Sequence, residues 1–431
     1  MSGVGRVSGS GAFSSRNGLT YGLLGLPLAF VALPLYVILP NHYSREFGVP
    51  LITLGYILLG ARLFDAFIDP LLGRMSDRLF SRSARSVLTM GAAAAVVLAA
   101  GFALLFFPQV KSPNALIVWA SAMLVVTYAG YSALSVAHQS WGAMLGGNEA
   151  ERSRIVAWRE GLGLVGVVLA SVTPVALGLP TTTAIFFVAL VIGWLAWSRS
   201  IQPVPKVHLA AAPGAMWLPF MHGNFKRLLA VFMLNGIASA VPATLILFFI
   251  QDLLQAPKAQ EPLFLGSYFV AAALSIPLWL AVVKRLGLAK AWLCGMLLSI
   301  AVFAWATQLG AGQTGAFIAI CALSGVALGT DLALPGAMLA GVIQRNGDSG
   351  QSEGAYFGWW NFAIKLNLAL AAGLALPLLS YFGYAPGARD AQALSALVIA
   401  YCVLPCLLKL AAAASLYFLV IKPSHTLQGD S

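Results

Sequence analysis

Apolar positions in this chain do not alternate with polar ones, nor do they keep to one helical face. They run on for about 18 residues or more at a time, separated by short polar or glycine- and proline-bearing linkers. At about 1.5 Å per helical residue, such a run crosses ~30 Å of hydrocarbon. Twelve runs can be placed, near 19–40, 49–72, 87–107, 115–145, 157–179, 181–198, 228–252, 263–283, 288–309, 313–342, 355–382 and 391–421. The pattern predicts an all-α polytopic membrane protein with twelve transmembrane helices. Only Gly-Leu-Pro-Thr, around Leu177 to Thr182, divides the fifth run from the sixth.

One linker is long. Ser198 to Arg227 holds Pro203, Pro205, Pro213, Pro219 and several basic residues, and it splits the runs six and six. The expected organisation is a polar, disordered tail over 1–18, an N-terminal half over 19–198, a central loop over 199–227, a C-terminal half over 228–421 and a tail over 422–431. A weak internal repeat supports the division. Aligning Asp69-Pro70 with Ile276-Pro277 brings Asp77-Arg78 onto Lys284-Arg285 without a gap, so the second and eighth helices are corresponding elements of two pseudo-symmetric halves.

Charge then orients the chain. Lys and Arg outnumber Asp and Glu by 25 to 14, and nearly all of the excess falls in alternate linkers. One set of linkers holds Arg74, Arg78, Arg82, Arg85, Arg152, Arg154, Arg199, Lys226, Arg227, Lys284, Arg285, Lys290 and Arg345; the other holds only Arg45, Lys111, Lys258 and Arg389. Basic linkers are cytoplasmic, so both termini are expected inside, in a multi-pass protein of a plasma membrane such as the bacterial inner membrane. The net charge reflects this topology and attraction to lipid headgroups, with no nucleic-acid partner. The first apolar run lacks a small-residue cleavage site and reads as a retained helix. Cys294, Cys321, Cys402 and Cys406 all lie within runs and imply no disulfide framework; Cys402 and Cys406 have no His or carboxylate near them to complete a metal site. The sequence shows no zinc-type His spacing, Ser-His-Asp arrangement or phosphate-binding Gly loop, so an enzyme is not expected.

A few charges sit where hydrocarbon should be. Arg62, Asp65 and Asp69 occupy i, i+3 and i+7 of the second helix, with the two aspartates one turn apart on one face. Each costs at least ~2.5–3.5 kcal/mol near the bilayer centre, so the three must face a cavity or one another. Pro70 follows at once. It is expected to end the helix, either as a simple terminator or as a break whose freed Ala66 carbonyl joins a cation site. Asp331 lies deep in the tenth helix, Lys365 in the eleventh and Lys409 in the twelfth; an aspartate across the interface between the halves is the natural partner for Lys365. Lys409 is expected to snorkel or pair structurally. The fourth helix ends in Tyr128, Tyr131, Ser132, Ser135, His138, Gln139 and Trp141, where His138 reads as a satisfied interfacial residue and the aromatics serve a cavity or an interface belt. Among the charges from Glu149 to Glu160, most read as loop charges, while Arg159 could reach an inner cavity.

Together, Arg62-x-x-Asp65-x-x-x-Asp69-Pro70-x-x-Gly73-x-x-x-Asp77-Arg78, the Glu151-Arg152…Arg159 start of the fifth helix and Glu353-Gly354-x-Tyr356-Phe357-Gly358…Lys365 resemble the glycoside-pentoside-hexuronide:cation symporters, the melibiose-permease-like branch of the major facilitator superfamily. The resemblance implies that Asp65 and Asp69 bind a coupling Na⁺ or H⁺, that Lys365 approaches them, and that Arg159 lies beside the substrate pocket. It also implies that Gly73, Asp77 and Arg78 latch the halves on the inner side. The chain departs from the family where a sugar-gripping aspartate should stand: Leu26 to Ala29 reads Leu-Pro-Leu-Ala, and the fourth helix offers Ser135, Ala137 and His138 without a carboxylate.

The expected function is cation-coupled symport of a small organic solute, a sugar or glycoside, by alternating access. Arg62, Lys365 and Asp331 serve as charge partners or coupling residues, and Tyr128, Arg159, Trp360 and Asn361 as substrate contacts. No cofactor is expected beyond the coupling Na⁺ or H⁺, and the partners are the substrate and the lipid bilayer of a monomer. The alternatives are a non-sugar amphipathic cargo such as a lysolipid, an uncoupled uniporter or efflux carrier, and an ion-pair network that only holds helices together.

Overall fold

The computed structural model describes residues 13–49, 51–203, 215–257, 260–382, 384 and 387–423. Among them the regular structure is helical throughout, in twelve rods and a short helical stretch at Ala215–Trp217 and Leu218–Met221 between the sixth and seventh. The first rod, α1, is assembled from Ser15–Gly22, Gly25–Leu33, a π-turn at Pro34–Ile38 and Leu39–Phe47. Then come α2 (Leu51–Phe80), α3 (Ala84–Phe106) and α4 (Pro113–Met144). α5 and α6 share Glu149–Ser198, divided at Gly178. The second half comprises α7 (Gly223–Phe248, continued by a π-turn at Phe249–Leu253), α8 (Glu261–Leu286), α9 (Leu288–Ala306), α10 (Thr314–Arg345) and α11 (Glu353–Tyr381). It closes with α12, built from Ala391–Val398 and Leu404–Leu416 and two π-turns. Nine helices among the described residues are long and apolar enough to cross a membrane on that criterion alone.

Local chemistry accounts for the rod ends. Ser83, Ser112, Asn148 and Asp390 each accept a hydrogen bond from a first-turn backbone N–H, and Asn148 with Glu151 forms a reciprocal capping box. The narrow boundary between the fifth and sixth runs falls at Gly178, whose φ of 78° suits a residue without a Cβ. Pro27 and Pro34 fall within α1, whose backbone breaks beside the first and widens to a π-turn at the second.

Three expectations are corrected. Pro70 does not end the second helix: α2 passes through it and continues to Phe80, so neither the simple terminator nor a break at Ala66 is observed. Gly73, Asp77 and Arg78 are therefore helical and not in a loop. Arg45, expected in a linker, belongs to the last segment of α1. Of the expected tails and central loop, residues 1–12, 204–214 and 424–431 lie outside the described residues, and the chain is helical from Ser15.

One apolar core, including Phe30, Phe102, Phe186 and Trp197, belongs to the first half. Another, including Phe249, Phe317 and Tyr401, belongs to the second. A third crosses between them, packing Val136 of α4 and Ala157 and Leu164 of α5 with Ile276, Leu334, Phe357 and Trp360. α2 packs on α11, and α5 on α8 and α10. Large apolar residues such as Val96, Val118, Val188, Leu274, Leu407 and Phe418 are exposed on the outer faces, as lipid-facing positions should be.

Candidate functional site

Asp65 and Asp69 stand one turn apart on α2 and are essentially inaccessible, at 2% and 0% exposure. Lys365 reaches them from α11. Its Nζ lies 2.6 Å from Asp65 Oδ2 and 2.7 Å from Asp69 Oδ2, so one ammonium ties the first half to the second. Ser132 of α4 completes the group: its hydroxyl accepts from Lys365 Nζ at 2.9 Å and donates to Asp65 Oδ1 at 2.6 Å, while Asp65 O accepts from Nζ at 3.3 Å. Asp69 Oδ1 is buried with no hydrogen-bond partner among the described residues. The trio carries two negative charges against one positive, in surroundings where charge is weakly solvated. Such a site favours a further cation, whether a proton or a metal ion. Arg62, expected on the same stripe, is exposed, and Lys365 occupies the space between the carboxylates.

The second intramembrane pair differs. Asp331, expected as a charge partner or coupling residue, pairs with Lys409 of its own half and has no part in the Lys365 group. Asp331 Oδ1 accepts from Asn235 Nδ2 (3.0 Å) and Trp292 Nε1 (2.8 Å), and Oδ2 from Lys409 Nζ (3.0 Å) and Ser239 Oγ (3.3 Å). These contacts join α7, α9, α10 and α12 within one half. With both oxygens occupied twice, the carboxylate has little capacity left for a cation.

Between the halves lies a cavity of about 280 Å³, reached by Tyr21, Gln139, Arg159, Glu160, Asp331 and Trp360 among others. Arg159 and Glu160 form an ion pair on its wall, and Trp360 stacks on Phe232 with ring centroids 3.8 Å apart. Of the expected substrate contacts, Arg159 and Trp360 thus meet. Tyr128 packs in the core of the first half and Asn361 is buried on α11, and neither is part of this wall. His138 is buried between α4 and α1, where Nε2 contacts Tyr21 O at 2.8 Å and the Tyr21 hydroxyl donates to His138 O at 3.1 Å. Its Nδ1 is buried with no hydrogen-bond partner among the described residues, so the ring, expected as a satisfied interfacial residue, is only half engaged and sits in the core.

At the basic end, α2 and α11 touch backbone to backbone. A Cβ on Gly73 would fall 1.9 Å from Gly354 O, and one on Gly354 would fall 2.1 Å from Gly73 O. Asp77 caps the start of α11, accepting from Gly354 N at 2.6 Å and Ala355 N at 2.8 Å. Arg78, the third residue of the expected latch, is exposed. Burial, reinforced by the neighbouring Glu353 carboxylate, holds Asp77 well above the usual carboxylate range against those two donors. Burial pushes Glu353 up to about 7.

A model of the family described as MFS/sugar transport protein matches residues 19–422, nearly the whole chain. The chain belongs to that family. The MFS fold recurs in solved structures. A bacterial homologue of the iron transporter ferroportin, in its outward-facing state, superposes with a TM-score of 0.72 at 16% identity, covering 94% of this chain and 98% of the other. The E. coli fucose:proton symporter FucP superposes at 0.69 and 15% identity, covering 94% and 99%. Comparison with curated protein sequences returns no match. The protein is thus a multi-pass MFS transporter and not an enzyme.

Two site features of this MFS protein leave little signal in the sequence. Ser132 was visible only as part of a polar helix end, because which of its hydroxyls meets α2 depends on how α4 is rotated. Glu160, among charges that read as a loop, places a carboxylate beside Arg159 on the cavity wall.

Proposed function

We propose that this MFS protein is a symporter that couples Na⁺ or H⁺ entry to uptake of a small organic solute by alternating access, with its basic end on the cytoplasmic side of a bacterial inner membrane. The observation that carries the reading is Lys365 held between Asp65 and Asp69 across the halves. A cation entering the carboxylates competes with the ammonium and displaces it. The α2–α11 tie then loosens, so occupancy of the site changes the balance between the two access states. A coupling free energy of order ~1–3 kcal/mol suffices for this. Gly73 and Asp77 close the cytoplasmic side, and Arg159, Glu160 and Trp360 meet the solute.

A sugar or glycoside is the favoured cargo. The family description points to sugars, and an aromatic face beside an Arg–Glu pair suits a polyhydroxy ring with one apolar side. The similar fold of a fucose:proton symporter is in keeping with it. A second reading, an amphipathic solute such as a lysolipid, draws on a cavity of about 320 Å³ inside the second half, walled by Pro242, Ile246, Leu265, Phe269 and Phe303.

The test is uptake into proteoliposomes with Asp65→Asn and Asp69→Asn proteins under imposed Na⁺ or H⁺ gradients. Accumulation should disappear while solute exchange at equal concentrations persists. Variants that still accumulate solute against its gradient would overturn the coupling assignment, and a wild-type protein indifferent to both cations would mark a uniporter.

A further inference from the structure

A cavity of about 700 Å³ lies at the basic end, away from the α2–α11 contact, where the start of α5 meets the ends of α7, α9, α10 and α12. Arg152, Arg227, Lys290 and Arg345 line it, against the one carboxylate of Glu149. That carboxylate is committed, accepting from Leu288 N at 2.9 Å at the start of α9. Among the described residues, none of Arg227, Lys290 and Arg345 has a carboxylate partner. Arg152, only 8% exposed, donates through Nη1 to Gly147 O (2.7 Å) and Gln344 Oε1 (2.8 Å), while its Nε is buried with no partner. Burial lowers its pKa, with Glu149 opposing and the nearby Arg345 guanidinium adding to the fall. So much clustered positive charge calls for an anion.

The rest of the wall says which source of anion. Leu419, Val420 and Ile421 of α12 form one side, and Leu419 is also exposed, next to the exposed Tyr417 and Phe418. The cavity is therefore basic, with Arg152 buried and Arg227, Lys290 and Arg345 exposed, and it adjoins the apolar outer face of α12. A free anion has no use for the apolar wall, whereas a phospholipid has an anionic head for the basic residues and acyl chains for the wall.

We propose that this cavity binds the phosphate headgroup of an anionic phospholipid from the surrounding leaflet. Because Arg152 belongs to the first half and Arg227, Lys290 and Arg345 to the second, the bound headgroup bridges the halves and favours the state closed at the basic end. Anionic lipid is then a regulator of access, separate from the cation site.

The test uses the full-length protein in neutral detergent, melted in the presence of phosphatidylglycerol, phosphatidylcholine or inorganic phosphate. Phosphatidylglycerol should raise the melting temperature saturably, and the other two should not. Neutralising Arg227, Lys290 and Arg345 one at a time to Gln should weaken the apparent affinity about fivefold each. An equal shift with phosphatidylcholine, or an undiminished phosphatidylglycerol shift in the triple variant, would refute the site. Inorganic phosphate reproducing the whole shift would refute the lipid assignment. Should the triple variant not fold, hydrogen exchange on wild-type protein decides: phosphatidylglycerol should protect 224–228, 286–290 and 338–345, and no protection there refutes the proposal.

Discussion

Asp331 accepts four hydrogen bonds, whereas Asp65 and Asp69 share one lysine and one serine and leave Asp69 Oδ1 without a donor. This difference in donor supply separates a rivet from a switch. Replacing Asp331 with Ala strands the Lys409 ammonium and should cost about 3–5 kcal/mol of stability. Thermal melts should show that loss with the cation dependence of stability unchanged. Ser132→Ala removes a neutral contact from the trio and should alter cation affinity by roughly 5- to 10-fold, about 1 kcal/mol, with little effect on stability without cation, which titration of the melting temperature with Na⁺ or H⁺ can read. The sequence made Asp65, Asp69 and Lys365 legible because isolated charges in apolar runs must find one another, and i, i+4 spacing puts two of them on one face. It did not reveal that Asp331 belongs to Lys409. That choice depends on which helices of the second half are neighbours, and no local pattern encodes it.

The pairing of α2 with α11 shows how tertiary contact outweighs a local rule. Pro70 predicts an end to the helix, yet α2 runs on to Phe80 because Gly73 and Asp77 find partners on α11. The stop signal is local, and the contacts that override it lie at least 277 residues away in sequence. Gly354→Val should therefore prevent closure at the basic end. Cysteine probes placed there should become more reactive towards aqueous reagents, with the melting temperature lowered but the protein still folded. The same contact should respond to pH. Glu353 is pushed from 4.5 up to about 7 by burial in the closed state, so its neutral form is favoured there. A carboxyl shifted upwards stabilises closure below about pH 4.5 and loses that contribution as pH rises to about 7. Over that window the Glu353 contribution should fall by at most on the order of 3 kcal/mol, and Glu353→Gln should remove that share of the response while leaving the share of Asp77, whose carboxyl burial also holds above its usual range. Inter-half distances measured by spin labels on the basic ends of α2 and α11 would show both effects.

Across the whole molecule, twelve rods, two halves and the charged site are readable from run length, linker charge and the repeat, because the bilayer imposes those features on any chain that crosses it. The repeat also locates function. The positions that correspond to Arg62, Asp65 and Asp69 in α8 are Phe269, Ala272 and Ile276, so the fold does without charge there. Only one half carries the carboxylates, and the other half supplies the lysine that holds them. In the proposed mechanism the ammonium and the coupling cation compete for the same two carboxylates. The most direct measurement is cation affinity of purified Lys365→Gln protein against wild type, by calorimetry or by the cation dependence of melting. Competition predicts that the variant binds its cation at least about tenfold more tightly, on the order of 1.4 kcal/mol, while transport coupling is lost. Unchanged or weaker cation binding, with only a loss of stability, would mean that Lys365 merely holds the halves together.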